Sequence, residues 1–92
     1  MLTVYKYDVP IKDSFTLELP RTGSFLAFQT QRDRPRIWLL VDPEDDRKIK
    51  REFRLAGTGR SIEEPEGNLH YRGTCQMHEG ALVWHLFEVI RF

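Results

Sequence analysis

Apolar and polar residues alternate with a period of two along most of the chain, and turn-forming residues interrupt the alternation at short intervals. Period two is the repeat of a β-strand, whose successive side chains point to opposite faces of a sheet. Seven segments fit this pattern: Thr3–Val9, Ser14–Leu19, Ser24–Gln31, Arg36–Val41, Lys48–Ala56 and the two arms of a hairpin within residues 69–92. The sequence therefore predicts an all-β fold of about seven antiparallel strands, arranged as a sandwich or a partly open barrel.

The same alternation predicts the core. Arg36–Val41 is apolar on both sides, which is typical of a central strand. In the third strand Leu26 and Phe28 are the expected inward pair, and Ile90 and Phe92 continue the alternation of the last strand. Six residues are predicted to form the core because each lies on the apolar side of its strand: Phe28, Leu39, Phe53, Tyr71, Leu86 and Ile90.

Length and charge narrow the class of protein. A chain of 92 residues supports one domain, spanning 1–92. Its formal charge is zero, so no overall field draws it to nucleic acid or to an anionic membrane. A single cysteine precludes an internal disulfide, the first ten residues lack the apolar stretch of a signal peptide, and no run approaches the length of a membrane span. We expect a cytoplasmic protein that binds neither nucleic acid nor membrane.

Gly57-Thr58-Gly59-Arg60, directly after the fifth strand, has the composition of a phosphate site. Glycine leaves backbone N–H groups accessible, and a hydroxyl and a guanidinium also donate to phosphate oxygens. The segment lacks the lysine and the following helix of a P-loop. The alternative interpretation is a tight turn with a positive φ at one or both glycines.

The two tryptophans allow two interpretations as well. Large aromatic side chains act mostly through burial, which makes Trp38 and Trp84 core or interface anchors. An indole also offers a stacking face for a nucleotide-like anion. With further polar side chains of the C-terminal hairpin, the candidate ligand-binding set is Trp38, Arg54, Gly57, Thr58, Gly59, Arg60, Gln76, His78, Trp84 and His85.

Metal binding and catalysis have weaker support. Cys75 and His78 are three residues apart, which places them on opposite faces of a strand, and no second ligand pair completes a tetrahedral site. Cys75 is better interpreted as a small buried apolar residue. An enzyme acting on a phosphorylated or nucleotide substrate through His78, Glu79 and His85 is the alternative hypothesis, but no activated nucleophile is visible. The sequence predicts no catalytic residue, metal or cofactor.

The chain resembles a family of short proteins encoded by tailed bacteriophages and prophages. The resemblance runs through Val4–Tyr7, Ser24–Gln31, Trp38–Pro43, Phe53–Arg54 with Gly57–Gly59, Gly73–His78 and Gly80–Glu88. It implies a small accessory phage protein that acts in the bacterial cytoplasm, and it brings no catalytic residues.

Together these observations favour a non-catalytic protein that acts by binding. We expect it to antagonise a host function, such as an anti-phage defence factor, by binding a host protein or by sequestering a small anionic nucleotide-like signal. A homo-oligomer, with a dimer as the first expectation, follows from more apolar positions than one small core can cover: Trp38, Leu40, Val83, Phe87 and Val89.

Overall fold

The computed structural model describes residues 1–91 and is all-β, as the sequence predicts. Its seven strands are β1 (Thr3–Asp8), β2 (Ser14–Pro20), β3 (Ser24–Gln31), β4 (Arg34–Val41), β5 (Lys48–Gly57), β6 (Leu69–Met77) and β7 (Leu82–Val89), with one turn of 3-10 helix at Glu66–Asn68. The described residues therefore contain no helix that could cross a membrane. The predicted strands differ from these bounds by at most two residues at either end of β1 to β6.

The strands form two antiparallel sheets. Sheet A has the order β1-β4-β3 and sheet B the order β2-β5-β7-β6. They do not close into a barrel, so the sandwich is the correct one of the two predicted architectures. The chain passes from one sheet to the other three times, after β1, after β2 and after β4. Neither sheet is therefore made from one continuous segment.

The core lies between the two sheets. Its largest fully buried side chains are Leu19, Ile37, Leu39, Val41, Phe53 and Leu86. Of the predicted core residues, Phe28, Leu39, Phe53 and Leu86 are confirmed as buried, and Ile90 is only partly buried. Each large apolar side chain removed from water stabilises the fold by about 1.5–3 kcal/mol.

A β-bulge in β3 explains why Leu26 does not belong to the core. Leu26 is 51% exposed, and the pairing with β4 shifts register between Phe25 and Ala27. The extra residue breaks the strict alternation, so Phe25 and Phe28 both face the core. The prediction of Leu26 as an inward residue is wrong because it assumed strict alternation, which the bulge interrupts.

A second bulge, in β6, explains why the prediction of Tyr71 as a core residue is wrong. The pairing with β7 shifts between Tyr71 and Gly73, and Tyr71 is 58% exposed on the outer face of sheet B. Beyond the shift, Cys75 is buried on the inner face. Gly73 has φ 147°, and a Cβ there would lie 3.1 Å from the Cβ of Phe28. Glycine thus allows β6 to approach β3 where the two sheets meet.

One carboxylate is buried between the sheets. Glu88 is 5% exposed and accepts hydrogen bonds from Arg51 at 2.7 Å and from Arg72 at 2.8 Å. Arg51 also donates to the carbonyl of Gly23 at 3.0 Å, and Arg72 lies over the ring of Phe25. Burial alone would raise the pKa of Glu88, but the two guanidiniums outweigh it and lower that pKa. These contacts connect sheet B to the start of β3 in sheet A.

The segment between β5 and β6 packs on the outer face of sheet B. Its Glu64 accepts hydrogen bonds from Arg54 at 3.0 Å and from Asn68 at 2.9 Å. Arg91 donates hydrogen bonds to both Glu64 and Glu52. The hydrogen bond from Arg91 lowers the pKa of Glu52 to about 2, because burial, which raises this pKa, is outweighed by Arg91 together with Arg54. The segment therefore covers the part of this face around Glu52 and Arg54.

Candidate functional site

Four of the predicted ligand-binding residues line one open depression of about 290 Å³. Gly57 is the last residue of β5 and pairs with Trp84 of β7, so the turn after β5 lies beside the first residues of β7. The lining residues are Gly57, Thr58, Arg60, Ala81, Leu82, Val83 and Trp84. The strand pairing thus brings together two segments, 57–60 and 81–84, that are 21 or more residues apart along the chain.

The Gly57–Arg60 segment is a tight turn. The N–H of Arg60 donates to the carbonyl of Gly57 at 3.0 Å, and Gly59 has φ 86°, which favours glycine. The interpretation of this segment as a turn with a positive φ is confirmed. Arg60 is exposed, and it forms no ion pair with any described residue. Its guanidinium is therefore available to a ligand anion.

His85 holds this turn to the outer face of sheet B. Its Nε2 lies 2.7 Å from the hydroxyl of Thr58, and its Nδ1 lies 2.9 Å from the hydroxyl of Thr74, which in turn bonds the hydroxyl of Tyr71. A neutral imidazole donates at one nitrogen and accepts at the other, so the two threonine hydroxyls take complementary roles. With both nitrogens engaged, His85 positions Thr58 rather than facing the depression itself.

Trp84 acts mainly as a packing residue. Its side chain is partly buried against the core, and its Nε1 is buried without a hydrogen-bond partner among residues 1–91. The ring edge lies beside Gly57, where an added Cβ would be in ordinary van der Waals contact with Cζ3 of the indole at 3.7 Å. The interpretation of Trp84 as a core anchor is confirmed, and its ring also forms one wall of the depression.

The other predicted ligand-binding residues lie elsewhere. Trp38 is in the central strand of sheet A, and Gln76 is exposed in β6. Arg54 is committed to Glu52 at 2.9 Å and to Glu64 at 3.0 Å. The structure therefore separates Trp38, Arg54 and Gln76 from the depression.

His78 belongs to a pair of turns at one end of the sandwich. Its backbone N–H donates to Oδ1 of Asp33 at 2.7 Å, and its Nδ1 lies 2.7 Å from Oδ2 of the same carboxylate. Arg32, Asp33, His78 and Glu79 all have φ between 52° and 59°, an uncommon conformation for residues with a side chain. The contact fixes the β3–β4 turn against the β6–β7 turn.

This arrangement does not assemble the catalytic group of the alternative hypothesis. His78 and Glu79 lie at the tip of the hairpin, whereas His85 pairs with Thr74, four residues before His78. At about 3.3 Å per residue, that separation is roughly 13 Å. Burial raises the pKa of Cys75 to about 11, which keeps it a thiol and a poor nucleophile. Among residues 1–91, no three His, Cys, Asp or Glu side chains are grouped to hold a metal ion.

A second candidate surface lies on the outer face of sheet A, and the sequence predicted two of its residues, Trp38 and Leu40, as apolar positions that the core does not cover. The register places Val4, Trp38 and Leu40 there, and Leu26 is exposed at the bulge beside Trp38. We call these four apolar side chains the sheet A patch. Val4 and Leu26 are each 51% exposed, and Trp38 and Leu40 are partly exposed within the central strand. The sequence indicates this surface, because β4 is apolar at every position from Ile37 to Val41 and so has apolar side chains on both faces of the sheet. What the sequence did not show is that Val4 and Leu26 would lie beside Trp38 and Leu40 on this face.

The rest of this outer face is polar and mainly basic. The same alternation places Lys6, Arg34 and Arg36 there, together with one carboxylate, Asp8. Asp8 pairs with Arg36 at 2.7 Å, and Lys6 lies directly beside Trp38 in the register. The face is thus divided into an apolar half and a half of net positive charge.

Comparison with known protein families places the chain in one of them. A family model described as a domain of unknown function, DUF7352, matches residues 1–92. The chain belongs to the DUF7352 family. No curated protein and no solved structure matches it significantly.

Proposed function

We propose that the protein is a non-catalytic, phage-encoded accessory protein that binds a host protein, such as an anti-phage defence factor, through the sheet A patch. The observation that carries this proposal is the central strand β4. It buries Ile37 and Leu39 on one side and presents Trp38 and Leu40 on the other, where none of the described residues forms a covering layer. A contiguous exposed apolar surface bordered by polar residues is typical of a protein-binding site.

The charges around the patch define the chemistry of the partner. Lys6, Arg34 and Arg36 outnumber Asp8 on this face, although the whole chain is neutral. An acidic surface around an apolar anchor would complement it, and such complementarity raises the association rate and favours one orientation. Tryptophan and arginine are also enriched among residues that dominate binding energy. We infer a host protein with an apolar projection flanked by carboxylates.

Binding without catalysis is supported by the state of the reactive side chains. The Cys75 thiol is buried with a raised pKa, and both nitrogens of His85 are hydrogen-bonded. The resemblance to phage proteins is the reason for expecting the partner to be a protein of the bacterial host. An accessory protein of this size can obstruct a host factor by occupying its surface, with no chemical step.

The test is capture of host proteins from bacterial lysate, followed by titration of the captured protein against variants. Leu40→Lys places a charge in the centre of the patch, and Tyr71→Lys is the matched control on the outer face of sheet B. We expect one stoichiometric host protein that binds the wild type and Tyr71→Lys equally, and Leu40→Lys at least tenfold more weakly. Equal binding by Leu40→Lys, with its fold intact by circular dichroism, would refute the assignment of this face.

A small anionic nucleotide-like ligand in the depression is the second candidate function. It is favoured by one observation, the convergence of Gly57, Thr58 and Arg60 with Trp84. Arg60 is the expected charge partner, because Arg54 is already paired with two carboxylates. Backbone amides, a hydroxyl and a guanidinium together suit a phosphate group.

Calorimetric titration with cyclic and linear nucleotides tests this second function. We expect Arg60→Ala to weaken any binding at least tenfold and Arg54→Ala to leave it nearly unchanged. No heat with any nucleotide, or binding that is indifferent to Arg60→Ala, would leave the segment as a simple turn between β5 and β6.

A further inference from the structure

The strand β1 forms an edge of sheet A with half of its backbone groups directed outward. Val9 donates its N–H to the carbonyl of Pro35 at 3.1 Å, in continuation of the β1–β4 register. In an antiparallel pair, alternate residues bond to the same neighbour. The odd-numbered residues of β1 therefore bond to β4, and the N–H and C=O groups of Val4, Lys6 and Asp8 face away from the sheet.

Exposed apolar side chains are concentrated at this edge. Leu2 is 61% exposed, Val4 51% and Tyr5 43%. At the other free edge, β2 of sheet B, the side chains beside the outward N–H groups are polar, namely Ser14, Thr16 and Glu18. An unbroken edge strand with apolar side chains and no proline is a template for pairing with another strand.

The two remaining sheet edges are less accessible. Strands β3 and β6 lie against each other where the sheets meet, with Gly73 over Phe28. Two bulges also disrupt these strands, one in each. Among the four edges, β1 is thus the regular one that carries large exposed apolar side chains, Leu2, Val4 and Tyr5, next to the charged Lys6 and Asp8.

We propose that β1 pairs antiparallel with β1 of a second copy of the chain, which joins the two copies of sheet A into one six-stranded sheet. Two-fold symmetry and the outward N–H groups restrict the possible registers, because even-numbered residues must bond to even-numbered residues. Within Thr3–Asp8, only two such registers keep five residues of each strand paired. One is centred on Tyr5 and the other on Lys6.

Charge selects between these two registers. Centring on Lys6 would place the two Lys6 side chains directly opposite each other, and like charges in that position are destabilising. Centring on Tyr5 places the two tyrosines opposite each other and puts Val4 beside Lys6 of the partner copy. The Tyr5-centred register is therefore the expected one. The inference is independent of the host partner, and the joined sheet would carry two sheet A patches on one face.

Light scattering at micromolar concentration tests the pairing through the mass of the particle. We expect about twice the 10.9 kDa of one chain. Lys6→Pro removes an outward N–H that β4 does not use, so it should yield a folded monomer. Thr16→Pro makes the same change at the β2 edge and should leave the dimer intact. Lys6→Ala should also leave it intact, because it removes the charge and the hydrogen bond to Gln31 but keeps the outward N–H. A monomeric wild type, or a dimer that Lys6→Pro leaves unchanged, would overturn the proposal.

Disulfide crosslinking tests the register and does not depend on the folding of the proline variant. In the Tyr5-centred register, position 5 is a non-hydrogen-bonded pair with Cα atoms about 4.5 Å apart, within the range of a disulfide. Tyr5→Cys should form a covalent dimer under mild oxidation. Wild type should not, because its Cys75 is buried, and neither should Thr16→Cys at the β2 edge. Crosslinking through Thr16→Cys instead of Tyr5→Cys would assign the interface to β2.

Discussion

Glu88 shows how a carboxylate is retained in a small apolar core. Its two arginine partners are also largely buried, with side-chain exposures of 12% for Arg51 and 26% for Arg72. Removing one partner from a buried ion pair leaves the other charge uncompensated and costs about 3–5 kcal/mol. We expect Glu88→Gln to lower the free energy of unfolding by about this amount, measured by urea denaturation. Glu18→Gln is the control, because Glu18 is exposed and should change stability by less than about 0.5 kcal/mol.

The lowered pKa of Glu88 also predicts an acid dependence. A carboxyl group whose pKa is lower in the folded than in the unfolded state stabilises the fold above the unfolded pKa, which is about 4.3 for glutamate. That stability is lost as the pH falls through the folded pKa. Urea midpoints between pH 7 and pH 2.5 should therefore fall more steeply for wild type than for Glu88→Gln. Parallel curves for the two proteins would show that Glu88 is not the group responsible.

Two core residues carry a separate prediction. Phe53 and Leu86 are 0% and 1% exposed, from neighbouring strands of sheet B. Truncation of either to alanine should cost about 2–5 kcal/mol, a large part of the 5–15 kcal/mol typical of a single domain. Leu26→Ala is the matched control on the outer face and should cost much less, since Leu26 is half exposed. Equal urea midpoints for Phe53→Ala and wild type would contradict the described packing.

At the scale of elements, the contact between β3 and β6 depends on a glycine. Gly73→Ala would introduce a Cβ 3.1 Å from that of Phe28 at a backbone conformation that favours glycine. We expect a loss of about 1–3 kcal/mol, measured by thermal or urea unfolding. Gly67→Ala provides the comparison, because no atom lies within 4 Å of its added Cβ. If both substitutions were equally mild, β6 would not approach β3 this closely.

The strands were predictable from the sequence, but the bulges were not. Alternation locates all seven strands, yet it fails at Leu26 and Tyr71, because a bulge inserts one residue and reverses the face of those on one side of it. Strict alternation from Leu86 would in fact have placed Glu88 inside, two residues further along β7. An acidic residue at an inward position was the available signal for the buried ion pairs.

The candidate site was predictable only in part, for a similar reason. Composition identified the Gly57–Arg60 turn, and the pairing of Gly57 with Trp84 placed the indole beside it. Sequence alone could not show that Arg54 would be neutralised by Glu64, ten residues further along the chain. Nor could it show that Trp38 would lie in the other sheet. Those facts depend on the strand order, which alternation does not specify.

At the scale of the whole molecule, the three crossings between sheets predict a single unfolding transition. Trp38 belongs to sheet A and Trp84 to sheet B, so each reports on one sheet. The variants Trp38→Phe and Trp84→Phe leave one indole each. Within each variant, the urea midpoint from fluorescence should coincide with that from circular dichroism at the same protein concentration. Two separate midpoints would show that one sheet persists without the other.

The strand order also has a consequence for the time during which the chain is synthesised. β1 is complete at residue 8, but its partner β4 is complete only at residue 41. At roughly 5–20 residues per second, the nascent chain carries β1 without a partner for about 2–7 s. In that interval neither edge of β1 is paired, and Leu2, Val4 and Tyr5 are exposed to other chains on the same message. The strand that we assign to self-association is thus also one whose own partner strand is synthesised much later.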